Sequence, residues 1–393
     1  MNDSGDAHVP TAVRKTLMAT IFYSLAGEGR GHATRVRTIV EHLRGTHRFV
    51  IFAPGDAFDM LAPLYANSEV RVERIPGLGF EYDAENALSP WRTTRGALAY
   101  VARLPRLVAR LEREIERERP ALAITDFEPS LPRAAARRGL PFVSLNHQHF
   151  LVTSDFSHLP RALRLKARAL GAVVDLYYHG QATTIVSSFC FPPLRASRAR
   201  VVQVGPLLRP QILAARPEPG SHLVVYLRKF GSKRLLDALA ETGREIRIYG
   251  LGAQPSRGNL HFFAIDERRF IEDLATSYAL VTTAGNQLLG EALYLEKPVF
   301  ALPEPNNAEQ QIHGRLLAHE RTGESLEFER VDATALYRFL ARVEFYRSRI
   351  ERERLNGNRD ALAELQRYLP AAVAFADPVP AVPVRRELPA TVN

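Results

Sequence analysis

Short apolar runs rich in strand-forming residues alternate with longer stretches in which apolar positions return every three or four residues. Runs at 17–25, 49–52, 122–125 and 142–145 are separated by helical periodicity at 34–43, 98–119 and 131–138. A second series follows, with strand-like runs at 222–227, 246–249, 280–283 and 299–302 and helical stretches at 233–241, 268–276, 287–295 and 309–321. Such alternation predicts parallel sheets covered by helices. Proline-rich residues 206–219 divide the two series. The expected architecture is α/β, two Rossmann-like doubly wound domains facing across a cleft: 15–205, a linker at 206–220, and 221–344. Residues 345–370 read as a charged terminal helix that packs back, with Gly357 as its weak point. The stretches 1–14 and 371–393 lack periodicity and read as disordered tails.

Composition narrows the partners. The chain has 393 residues, 46% of them apolar, enough for two packed cores. The one cysteine, Cys190, excludes an intrachain disulfide framework and reads as a small buried residue in a reducing compartment. No apolar run approaches the roughly 20 residues that span a bilayer. Arg14-Lys15 ahead of residues 17–26 imitates a signal peptide, but Ile21, Phe22 and Tyr23 running into a glycine-rich loop read as the first strand of a βα unit. The net charge of +9 favours anionic partners. A nucleotide diphosphate or an anionic membrane surface fits, and no nucleic acid is expected. Residues 91–119 and 161–178 set arginines among Leu, Val, Ala and Tyr, as either a basic amphipathic surface or solvated helix faces. The expected location is the cytoplasm, with peripheral attachment to the inner face of the membrane as an option.

Ligands in open α/β sheets bind beyond the carboxyl ends of the strands, so the loops there carry the candidate chemistry. After the first strand come Gly27-Glu28-Gly29-Arg30-Gly31-His32-Ala33-Thr34-Arg35. His32 stands where a dinucleotide fingerprint requires its third glycine, which argues against an NAD site. Gly29 and Gly31 let a ligand approach the backbone on the acceptor side. His32, at a helix start, is placed to act as a proton acceptor or simply to cap the helix. Asp126 and Glu128 follow the strand at 122–125, and Asp126 is the preferred partner to orient His32, its alternative being a cap for the helix near Ser130. Asn146 and His147 end the next strand and read as acceptor contacts or as plain loop hydrogen bonding. His147 and His149 have metal-ligand spacing, but no further donors complete a set in the sequence, so no metal is expected.

In the second series, Thr283-Ala284-Gly285-Asn286-Gln287 joins a strand to a helix whose free amides suit a phosphate. Gly285, Asn286 and Gln287 form that cradle, and Glu291, between one and two turns on, can accept from both ribose hydroxyls. Glu309, Gln310 and Gln311 begin the next helix and suit the hydroxyls of a hexose, although Glu309 also complements the helix dipole. Arg228 lies in a Gly- and Ser-containing loop that either touches phosphate or is simply a solvated charged loop.

At these residues the sequence resembles the GT-B glycosyltransferases, in particular the branch of the lipid-linked peptidoglycan N-acetylglucosaminyltransferase. The likeness covers about residues 16–370, and its informative motifs are confined to 27–35 and 283–311. It implies that His32 is the base, that Glu291, six residues after Gly285, holds the ribose, and that Glu309-Gln310 with Gln311 hold the donor sugar. It also implies a UDP-sugar co-substrate, no cofactor, and metal-independent transfer with inversion to a hydroxyl acceptor, lipid-linked or part of a cell-envelope glycan. Two departures stand out: Thr283 occupies the place of a histidine in the small-molecule UDP-glycosyltransferases, and the segment before Glu309 is longer than in those enzymes. The alternatives are a nonhydrolysing nucleotide-sugar 2-epimerase, which needs no acceptor, and a non-catalytic binder of nucleotide sugars.

Overall fold

The computed structural model describes residues 18–27, 30–77, 90–196, 200–227, 232–305 and 307–370. The tails expected at 1–14 and 371–393 lie outside the described residues, as do Gly29 and Arg228.

The first half builds β1 (Thr20–Leu25), α1 (Arg30–Leu43), β2 (Arg48–Ala53), α2 (Gly55–Tyr65), β3 (Arg71–Arg74), α3 (Pro90–Glu118) and β4 (Leu122–Asp126). It continues with α4 (Ser130–Arg137), β5 (Phe142–Asn146), α5 (Phe150–Thr153), α6 (Arg161–Asp175), β6 (Thr183–Ser187) and β7 (Val201–Val204). These seven strands form one parallel sheet in the order β3-β2-β1-β4-β5-β6-β7. Strands covered on both faces read as continuous apolar runs, which is why β1, β4 and β5 were legible.

A short helix, α7 (Pro210–Ala214), interrupts the linker. The second half then gives β8 (Leu223–Tyr226), α8 (Lys233–Glu241), β9 (Ile246–Tyr249), β10 (Gln254–Arg257), β11 (Leu260–Phe263), α9 (Glu267–Ala275) and β12 (Ala279–Thr282). After it come α10 (Asn286–Tyr294), β13 (Val299–Ala301), α11 (Ala308–His319), β14 (Gly323–Ser325) and α12 (Ala333–Leu340). Its sheet runs β10-β11-β9-β8-β12-β13-β14 and is parallel except for the β10–β11 hairpin. Side-chain caps start the helices: Asp266 accepts from Arg269 N and Asn307 from Gln310 N.

The single helix expected over 345–370 is broken. α13 (Val343–Arg347) stops early, a 3-10 turn spans Arg352–Leu355, and α14 (Asn358–Gln366) restarts beyond Gly357. The reason is a backbone crossing: Gly357 N donates to Pro206 O at 3.0 Å, and a Cβ on Gly357 would stand 2.0 Å from Gly205 O. Beyond the crossing, Ala361, Leu362 and Leu365 pack into the core of the first sheet, and Glu364 pairs with Arg200. A further apolar cluster spans both halves, joining Phe150 and Phe189 of the first to Leu289 and Ile312 of the second. Burial of such side chains is worth about 1.5–3 kcal/mol each, so the seam is closed by apolar contact as well as by polar bonds.

Candidate active site at the domain seam

Each sheet reverses its strand order once, between β1 and β4 in the first and between β8 and β12 in the second. These are the switch points where crevices open, and the candidate loops leave from them. Leu25 and Asp126 end adjacent strands in register, which sets the carboxylate beside the start of α1. His32 Nδ1 stands 2.8 Å from Asp126 Oδ1. Arg35 Nη2, a donor, lies 2.9 Å from the same nitrogen. The carboxylate contact is the shorter, and a carboxylate oxygen only accepts, so the pair with Asp126 favours the proton on Nδ1 and leaves Nε2 to accept one. The His32 side chain keeps 12% exposure, whereas Asp126 has none.

Asp126 has a second partner that the sequence reading missed. Arg35, one turn along α1 from His32, donates Nε to Asp126 Oδ2 and Nη2 to Oδ1, both at 2.9 Å. Burial pushes the Asp126 carboxyl upward, but Arg35 and then His32 outweigh it and hold the group below its usual range. Phe127 follows with φ of +60°, and its ring stacks on Tyr177 at 4.4 Å and lies 6.5 Å from His32.

Two residues expected on the acceptor side belong to the scaffold instead. Glu128 is buried and caps α4, accepting from Ser130 N at 2.8 Å, Leu131 N at 3.0 Å and Tyr100 Oη at 3.1 Å. The capping role considered for Asp126 is therefore filled by Glu128. Asn146 is also buried, donating to Ser144 Oγ and Tyr178 Oη and accepting from His149 N. His149 faces Asn146 and stacks on Tyr178, and burial pulls it down to about 4.

Across the seam, α10 begins against α1. A Cβ on Gly31 would lie 3.7 Å from Gln287 Cβ, so the histidine loop and the candidate phosphate loop face one another. Gly285 supplies no side-chain cap, so the first-turn amides of α10 have no capping acceptor from it. Asn286 reaches into the first domain, donating to Ser187 O at 3.2 Å and accepting from Phe189 N at 3.4 Å. Gln287 donates to Leu207 O and to Glu291 Oε1. Glu291 itself is 2% exposed and held by Arg209. Arg209 also bonds Glu267, which receives Arg37 of α1, so an ionic chain runs from one domain to the other.

On α11, Gln310 Oε1 accepts from Glu304 N at 2.9 Å and fixes the preceding loop, while Gln311 Oε1 accepts from Lys166 Nζ of α6 at 3.3 Å. Burial pushes the Glu309 carboxyl up to about 7, with Arg35 pulling it back. Glu309 and His313 come within 4.8 Å of His147, so donors for a set around His147 do exist, supplied by the other domain. That corrects the expectation that His147 lacks further metal-binding partners. His313, four residues after Glu309 on the same helix face, carried a readable signal; Arg209 in the linker carried none.

Two parallel sheets facing across such a seam define a GT-B scaffold, and solved structures share it. UGT2 of Phytolacca americana, complexed with UDP-2fluoro-glucose and pterostilbene, superposes with a TM-score of 0.66 at 15% identity over 89% of this chain and 99% of its own. CalG4, the calicheamicin glycosyltransferase, gives 0.61 at 18% identity over 90% and 98%. MurG of Acinetobacter baumannii gives 0.59 at 12% identity over 89% and 99%. Comparison with curated proteins returns no match. Residues 19–344 match the model of Glycosyl transferase family 1, and the chain belongs to that family. It is a glycosyltransferase, moving a sugar from a nucleotide-sugar donor.

Proposed function

We propose that the chain moves a hexose from a UDP-sugar to a hydroxyl acceptor with inversion at the anomeric carbon. The observation that carries this reading is the His32–Asp126 pair, 2.8 Å apart, facing the start of α10 across the seam. His32 Nε2 takes the acceptor proton as the new glycosidic bond forms, and Asp126 stabilises the imidazolium that results. The bond from the anomeric carbon to the diphosphate breaks on the opposite side. The amides at Asn286 and Gln287, at the positive end of α10, receive the departing negative charge. That electrostatic work needs no metal at the diphosphate.

Glu291 holds the ribose once Arg209 yields, and Glu309, Gln310 and Gln311 flank the donor sugar. UDP is the nucleotide in the complexes of two similar structures, UGT2 of Phytolacca americana and LpCGTa. The acceptor is lipid-linked or a cell-envelope glycan. Exposed Leu98 and Val101 on α3, Leu165 and Val173 on α6, and Leu176 just beyond α6, lie in or beside arginine-rich helices suited to an anionic surface. No helix among the described residues is long and apolar enough to cross a membrane.

Thermal stabilisation by UDP-, GDP- and dTDP-sugars tests the donor, with the largest shift expected for a UDP-sugar. His32→Ala turnover on the acceptor so identified tests the base, and unchanged kcat would remove the assignment. Sedimentation with anionic and neutral vesicles tests the surface; equal recovery with both would exclude an anionic membrane partner.

A further inference from the structure

His147 and His313 meet at the seam in an arrangement that two neutral imidazoles cannot satisfy alone. Both side chains are 1% exposed. His147 Nδ1 lies 3.0 Å from Ser187 O, and His313 Nδ1 lies 2.7 Å from Ala284 O. A carbonyl oxygen only accepts, so each Nδ1 must carry its proton and each Nε2 is left as a bare lone pair. Those two Nε2 atoms stand 2.6 Å apart. Two lone pairs at that separation repel, and the rings packed on them are apolar and donate nothing: Phe150 stacks on His147 at 4.3 Å and Phe189 sets its ring against His313 at 5.9 Å. An apolar pocket that converges two lone pairs needs a positive centre between them.

The third donor is already in place. Glu309 lies one helical turn before His313, and its carboxylate oxygen and both Nε2 atoms fall within 4.8 Å of one another. We propose that His147, His313 and Glu309 bind one Zn²⁺ ion that clamps the two domains together. Two imidazole nitrogens and one carboxylate oxygen are a donor set that zinc accepts, leaving a fourth position for water or ligand. With Zn–N bonds of about 2.0–2.1 Å, tetrahedral zinc holds two nitrogens roughly 3.3 Å apart, so the rings need to part by less than about 1 Å. The two Nδ1–H···O=C bonds fix each ring in the tautomer that ligation requires. One oxygen of Glu309 suffices for the metal, and the other stays free for a sugar hydroxyl. Since one ligand comes from the loop after β5 and two from α11, metal binding and domain closure are a single event.

The test uses untagged full-length protein and reads metal rather than turnover, so its outcome is independent of the transferase mechanism proposed above. Protein stripped with chelator and repleted should retain about one Zn²⁺ per chain by elemental analysis. Co²⁺ in its place should give the intense visible bands of a four-coordinate site, displaced by Zn²⁺. His147→Ala and His313→Ala should each weaken Co²⁺ binding by at least about 10-fold to 100-fold, and Glu309→Gln should weaken it less. Absence of retained zinc together with only the pale spectrum of six-coordinate cobalt in the wild-type protein would overturn the proposal. So would a cobalt spectrum indifferent to both histidine substitutions, or a strongly downfield proton resonance showing that the two rings share a proton. Because the first readouts need only the wild-type chain, a variant that fails to fold leaves the proposal open to refutation.

Discussion

Arg209 grips Glu291 with two nitrogens, Nε at 3.1 Å and Nη2 at 2.7 Å. The carboxylate proposed for the ribose is thus already bonded before any donor arrives. Burial alone would oppose the Arg209 charge, but Glu291 and Glu267 together raise its hold on the proton. A donor that takes Glu291 must release Arg209 toward Glu267, which lies 3.0 Å from Arg209 Nη1. Arg209→Met leaves a buried carboxylate without its cation, a loss of about 3–5 kcal/mol where such a pair is broken. Its melting temperature should fall in the free protein and be largely recovered by saturating UDP-sugar. Equal losses with and without donor would place Glu291 outside the nucleotide site.

Asp126 serves two partners, and substitutions can separate them. His32→Ala removes the base and should lower kcat by about 10²-fold to 10⁴-fold while donor binding persists. Asp126→Asn keeps the volume but no longer favours the Nδ1–H tautomer of His32. It also deprives Arg35, 3% exposed, of its counter-charge. Asp126→Asn should therefore lose both kcat and melting temperature, whereas His32→Ala should lose kcat alone. Denaturation curves paired with initial rates distinguish the two patterns.

The parallel strands were legible because burial on both faces makes them uninterrupted apolar runs, as in β4 and β5. The pair His32 and Asp126 was legible for a related reason: each sits at the carboxyl end of a strand, and the topology brings those ends together. Glu128 was misread because it shares that position, and only the structure tells a carboxylate that caps α4 from one that faces a ligand. Arg209 left no trace, since a lone arginine in a proline-rich stretch has no periodicity or motif to mark it. The break at Gly357 was visible as a glycine, but its cause, the crossing with Gly205, is a contact between distant segments.

Lys297 offers a pH-dependent stability test away from the seam. It is 2% exposed, its Nζ donates to Glu218 O at 2.6 Å, and burial pulls its ammonium down to about 8, with Arg347 adding to the effect. The folded value lies below the unfolded one of about 10.4, so the protein pays for carrying that charge inside. The cost is fully present below about pH 8 and fades as the pH rises toward 10.4. Lys297→Met should be more stable than wild type at pH 7 by about 1–3 kcal/mol, and the difference should shrink by pH 10. Urea denaturation of both proteins across that range checks the sign, and a difference that grows with pH would contradict the assignment.

Phe127 holds φ of +60° immediately after Asp126, a conformation that costs a non-glycine residue about 1–3 kcal/mol. Its ring is the compensation, stacked on Tyr177 at 4.4 Å with an interplanar angle of 9°. The pair forms a flat apolar wall next to His32, where an acceptor must place its hydroxyl to be deprotonated. Phe127→Gly relieves backbone strain of about 1–3 kcal/mol but removes the stacking and the apolar packing of a half-buried ring, so its stability should fall modestly below that of wild type. Acceptor binding should carry the loss: KM for the acceptor rises several-fold while KM for the donor holds. Phe127→Tyr, which keeps the stacked ring, should restore acceptor binding. A parallel rise in both KM values, or no recovery in Phe127→Tyr, would mean that the strained residue shapes the whole seam and not the acceptor side alone.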